Sequence, residues 1–214
     1  MFNLDPSSLF ARLIILFIVF PVHELAHALT ADYFGDDTPR VNGRLTLNPL
    51  AHLDPIGSLL LLVAWFGWAK PVPVNPYTLQ RKSPAALMWV SLAGPASNLL
   101  MAILAAIPFR LGLVSKYDAA LAMYQAANNF FPTLPQILYI FIYINLLLML
   151  FNLIPIAPLD GEKIAEYFFP PSWSRFLETI RPYGSLILMA IVLLGILGKI
   201  ICPPLNLLMT LLVG

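Results

Sequence analysis

The sequence predicts an all-α polytopic membrane protein, and three observations carry that expectation. Of 214 residues, 59% are hydrophobic and only 11% are charged, against about a quarter charged in a soluble domain. Mean hydropathy is +0.81, too high for a chain that must cover its whole surface with water. Four stretches stay apolar for the ~20 residues a helix needs to cross roughly 30 Å of hydrocarbon. The expected architecture is four to six transmembrane helices with a small β-hairpin or re-entrant element after the first. It forms one integral-membrane domain over 1–214, with a core at about 9–165 and C-terminal helices in 183–213. The net charge of +1 gives no electrostatic case for nucleic acid. One cysteine, Cys202, excludes an internal disulfide and a cysteine-rich metal site.

The N-terminal "MFNLDPSS" has no basic region, so no cleavable signal peptide is expected. Asp5 with Pro6 is a helix start, Asp as cap and Pro at the first helical position. The first span follows, from about Leu9 to Phe34. "RVNGRLTLNP" then alternates polar and apolar residues around Asn42-Gly43, which predicts a β-hairpin. "IGSLLLLVAWFGW", Ile56 to Trp68, is short for a span. It is bracketed by Asp54-Pro55 and the proline-broken "AKPVPVNP", so a re-entrant element is expected. The second span runs from about Ala85 to Leu111 and the third from Leu134 to Leu153. The fourth, Tyr183 to Ile201, is expected to end at Cys202-Pro203-Pro204, leaving Leu205 to Val213 at the interface. With Ile56–Trp68 not crossing, the loops after the first and third spans hold eight Lys and Arg against four on the other side. The positive-inside rule then puts the N-terminus outside the cytoplasm.

Within the first span lies "FPVHELAHAL". Besides Glu24, the only charge from Leu9 to Leu29 is Arg12. Ionisable groups at membrane depth are costly and need partners. His23-Glu24-Leu25-Ala26-His27 is H-E-x-x-H, and one helical turn puts both histidines on the same face. That spacing lets two imidazoles hold one Zn²⁺ with Glu24 beside it as general base. The plainer alternative is a pair of core histidines bonded to carbonyls. A catalytic zinc site wants a third protein ligand and an open position for water. His52, in a proline-flanked segment, and Asp160, in "FNLIPIAPLDGEK", are the two sources. Pro155, Pro158 and Gly161 break the chain there, which can return a carboxylate into a helix bundle. Leu-Asp-Gly is otherwise an ordinary turn.

Taken together, His23-Glu24-x-x-His27, "GRLTLNPLAHLDPIG", "GWAKPVPVNP", "SLAGPASN" and "NLIPIAPLDG" resemble the site-2 protease family of intramembrane zinc metalloproteases. The resemblance covers roughly Pro21 to Glu162. It implies His23, His27 and Asp160 as ligands of one Zn²⁺ per chain, and Glu24 as catalytic base. It places Asn98, of the family's G-P-x-x-N motif, near the active site. His52 is expected either to support the site as an auxiliary group or to cap a turn beside Asp54-Pro55. The chain resembles the minimal form of the family, without a PDZ or CBS domain.

The implied chemistry is hydrolysis of peptide bonds within or near transmembrane segments of membrane-protein substrates. Asn98 would hold the substrate backbone or the developing oxyanion, or else bond helix to helix. The hairpin would offer an edge to an extended substrate strand. The expected setting is a prokaryotic cell membrane, with the lipid bilayer and a transmembrane substrate as partners. The rival reading is a non-catalytic zinc-binding scaffold or transporter. No further acidic residue in the three later spans supplies a transport relay, and a mere metal binder would not need Glu24.

Overall fold

The computed structural model describes residues 6–64, 67–118 and 132–214. The Asp5 cap expected at the start lies outside them. The first helix runs through α1 (Pro6–Ile14), a π-helical turn (Ile15–Val19) and α2 (Phe20–Tyr33). Pro21 accounts for the π turn: it has no N–H and crowds the carbonyl four residues back. The ladder widens just before it, so that the Phe20 N–H donates to the Ile15 carbonyl. Such turns are often found beside functional sites, and His23 follows at once.

The expected hairpin is absent. No strand is formed among the described residues, where the one β feature is an isolated antiparallel bridge, Leu53 to Ala69. Thr38–Val41 instead forms a short helix, α3. Asp36 starts it by accepting from the Thr38 N–H at 3.1 Å and its hydroxyl at 2.5 Å. A type I′ hairpin turn needs positive φ at both central residues, but Asn42 has φ −86°. Only Gly43 is left-handed, at +67°. Gly43 N–H donates to Arg40 O and Arg44 N–H to Pro39 O, the Schellman closure of a helix. Asn-Gly is thus a helix stop here.

A second short helix, α4 (Pro49–His52), is capped by Asn48, which accepts from the Leu50 N–H at 3.1 Å. Helix α5 (Pro55–Ala64) starts on Asp54, whose carboxylate accepts from the Ile56 and Gly57 N–H groups. The chain leaves at His52–Leu53 and returns beside it, with Lys70 N–H donating to His52 O at 2.7 Å. A Cβ on Gly57 would overlap Trp68 O, and one on Gly67 would overlap Gly57 O. The returning segment therefore packs directly on the helix. Buried Arg12 donates to Leu62 O in the last turn of α5, where helix carbonyls lack intrahelical donors.

Past the extended 69–75 segment come α6 (Pro76–Lys82) and the long α7 (Ala86–Arg110). The third span is α8 (Leu134–Asn152). It leads through a turn into α9 (Asp160–Phe168), α10 (Pro171–Ile180), a 3₁₀ turn (Arg181–Tyr183), α11 (Gly184–Leu193) and α12 (Ile196–Val213). Helix α7 is central and packs on α2, α8, α9 and α12. Its residues Ala102, Ala106 and Phe109 share a buried core with Ile142, Leu146 and Met149 of α8 and Ile201, Leu205 and Met209 of α12.

Among the described residues, five helices are long and apolar enough to cross a membrane: Leu9–Tyr33, Ala86–Arg110, Leu134–Asn152, Ser172–Leu193 and Ile196–Val213. The C-terminal boundary differs from the one expected at Cys202-Pro203-Pro204. Gly195, left-handed at φ +68°, ends the fourth helix, and both prolines lie inside α12. Ile201 and Leu205, buried on either side of them, hold that helix against the core across its lost donors. Residues 205–213 therefore belong to an 18-residue helix.

Candidate metal centre

Helix α2 brings His23 and His27 to one buried face, with their Nε2 atoms 3.0 Å apart. His27 Nδ1 lies 2.7 Å from the Val90 carbonyl. A carbonyl only accepts, so Nδ1 carries the proton and Nε2 presents its lone pair. Asp160, the first residue of α9, meets both rings, Oδ2 at 3.3 Å from His23 Nε2 and Oδ1 at 3.4 Å from His27 Nε2. Among the described residues these three are the group whose donor atoms converge, all within 4.8 Å of one another.

The arrangement fits a metal ion. Ligand bonds of 2.0–2.2 Å in a tetrahedron separate neighbouring donors by about 3.3–3.6 Å; here the two Nε2 atoms are 3.0 Å apart and each lies 3.3–3.4 Å from one of the Asp160 oxygens. Asp160 Oδ2 is buried without a hydrogen bond among the described residues. An orphaned carboxylate oxygen beside imidazole lone pairs is costly, and a cation at their focus removes that cost. Two nitrogens and one carboxylate suit Zn²⁺, with a fourth position left for water.

The backbone explains why these residues meet. Helix α7 approaches α2 so closely at Gly94 that a Cβ there would stand 2.6 Å from His23 Cε1 and overlap the His27 ring. The carboxylate arrives differently. The chain ends α8 at Asn152, turns through Pro155 and Pro158, and restarts at Asp160. A Cβ on Gly161 would overlap the carbonyls of Leu153 and Ile154, so only glycine lets α9 double back this tightly.

Glu24 lies next to His23, and its Oε2 accepts from the Val72 N–H at 3.1 Å. The extended, proline-flanked 69–75 segment thus passes over the carboxylate. Asn98 is one turn beyond Gly94 on α7. It is fully buried, and neither its amide oxygen nor its nitrogen has a partner among the described residues. Buried side-chain amides are rarely left so, and this one is free to meet a ligand. His52 is not in the donor group. It is fully buried and donates through Nε2 to Thr46 O at 2.8 Å. With Arg44, which donates to Ala51 O and Lys70 O, it ties together the two ends of the loop that carries α5. The Val90 carbonyl and the Val72 N–H escaped the sequence reading because backbone groups have no sequence signature.

A three-donor metal site in an apolar helical bundle, with a carboxylate at its side, defines a class of membrane metallohydrolases. The chain belongs to peptidase family M50, the site-2 proteases: the family profile matches residues 11–195. It is similar to YwhC of Bacillus subtilis (strain 168), provisionally named a zinc metalloprotease, at 43% identity over 94% of this chain and 89% of that one. Rip2 of Mycolicibacterium smegmatis, provisionally named likewise, is 32% identical over 83% of this chain and 64% of its own length. Rip2 of Mycobacterium tuberculosis H37Rv is 30% identical over 80% and 62%. The chain spans under two thirds of both Rip2 proteins. No solved structure matches it. With five membrane-capable helices, a member of this family is an integral membrane protein.

Proposed function

We propose that the protein is a zinc-dependent intramembrane endopeptidase that cuts membrane-protein substrates within or near their transmembrane segments. The observation that carries this reading is the convergence of His23, His27 and Asp160 beside Glu24 on a membrane helix. Bound by those three side chains, Zn²⁺ supplies Lewis acidity toward a scissile carbonyl and an attacking water. Glu24 takes the proton of that water and delivers it to the leaving amine. Its bond to the Val72 N–H holds the carboxylate in place for the transfer. The Asn98 amide N–H donates to the oxygen on which charge develops. The Val90 carbonyl keeps the His27 proton on Nδ1, leaving Nε2 for the metal. A prokaryotic cell membrane is the setting we assign, with a transmembrane protein as substrate.

The test is a cleavage assay on the purified full chain in detergent with a panel of single-span peptides. Glu24→Gln should lower the cleavage rate by about 10²–10⁴-fold and keep the zinc content of wild type. Asn98→Ala should also keep zinc and lose about 10²–10³-fold in kcat. Undiminished cleavage by Glu24→Gln would overturn the assignment of the base. Zinc without any cleavage by wild type would favour the scaffold reading.

A further inference from the structure

We infer that Arg181 is a positioning residue for the metal centre, tethering the helix that carries Asp160 to the C-terminal part of the chain. The inference rests on the zinc site proposed above. Glu162, two residues after Asp160, is buried. Its Oε1 accepts from Arg181 Nε at 2.6 Å. Arg181 Nη2 also donates to Glu166, one turn further along α9. One guanidinium thus grips two carboxylates on the same helix, a geometry that fixes direction as well as distance. Arg181 belongs to the 3₁₀ turn between α10 and α11, 19 residues along the chain from Glu162.

A second contact ties the same two regions. Gly184, just after that turn, lies so close to the 153–159 turn that a Cβ would overlap Ala157 O. The start of α9 is therefore held from two sides. Gly161 seats it against Leu153 and Ile154, and Arg181 draws Glu162 toward α11. Asp160 stands between these anchors. Lys163 also pairs with Glu162, at 3.6 Å, and with Glu166, at 3.0 Å. It sits on α9 itself, so it neutralises charge there but links nothing to that helix. Neutralisation and tethering can therefore be separated.

Partners that orient a ligand are typically worth 10–100-fold in metal affinity. Arg181 acts on Asp160 through a helix, and the expected effect lies at the lower end. The experiment is chelator competition for zinc on the full chain in detergent, with the visible spectrum of the Co²⁺-loaded protein as a second readout. Arg181→Ala should raise the zinc Kd about 10-fold and alter the Co²⁺ ligand-field bands. Arg181→Lys should recover only part of the affinity, because an ammonium cannot reproduce the guanidinium's hold on both carboxylates, and Lys163→Ala should stay within about 2-fold of wild type. Wild-type affinity and spectrum in Arg181→Ala would overturn the inference. So would an equal loss in Lys163→Ala, because charge rather than tethering would then be at work. Should Arg181→Ala fail to fold, Glu162→Gln takes its place, and unchanged affinity there overturns the inference equally. A wild-type chain that binds no zinc would sink the metal site itself, a failure seen before any variant is made.

Discussion

His23 and His27 reach the centre from one unbroken helix, whereas Asp160 reaches it from a chain that ends one helix, doubles back and starts another. On the histidine side, 3.6-residue periodicity fixes the spacing, and the neighbouring α7 leaves room at Gly94 and offers the Val90 carbonyl to His27 Nδ1. On the carboxylate side nothing local fixes the position. Prolines end α8, a glycine permits the close return, and contacts from residues 181–184 hold the result. A regular element needs little support to place a ligand, while a broken one depends on distant parts of the chain.

Substitutions at the two close-packed glycines sharpen this contrast. Gly94→Val carries the larger expected effect. Its side chain would occupy the space of both imidazoles, and neither α2 nor α7 can withdraw without unpacking the bundle. Zinc should fall below detection while the helical circular dichroism is retained; full zinc in this variant would refute the close approach. Gly161→Ala is the milder test of the other half. A methyl group meets backbone carbonyls and pushes the start of α9 away by a fraction of an ångström. Zinc affinity should fall by about 10-fold, the scale of lost ligand orientation, with stoichiometry restored at high zinc. Unchanged affinity would mean that the turn tolerates what the contacts forbid.

The same contrast governs what could be read from the sequence. The first three spans and the His23-Glu24-His27 face follow from periodicity and length. Asp160 did not follow from its surroundings, since Leu-Asp-Gly is an ordinary turn by itself. Only the resemblance to a family motif singled it out over His52 as the expected third ligand. The hairpin at Asn42-Gly43 was misjudged because the same dipeptide serves as a hairpin turn or a helix stop. Thr38-Pro39 with the Asp36 cap decided for the helix. Pro203-Pro204 suggested a boundary, yet the left-handed Gly195 made it. His52 stands in the sequence as a possible ligand or auxiliary group, and its carbonyl partner at Thr46, like those of Arg44 at Ala51 and Lys70, becomes visible only when the loop closes. Arg181 is 19 residues from Glu162, a pairing that no local pattern announces.

The most direct measurement is the zinc stoichiometry of the purified full chain and of Asp160→Ala, by elemental analysis after dialysis against trace zinc. The account expects one zinc per chain in wild type and a loss of that zinc in Asp160→Ala, with the helical content of the two proteins alike. One zinc retained by Asp160→Ala at wild-type affinity would contradict it, because the metal would then be held by the histidine helix without the carboxylate that the broken chain delivers.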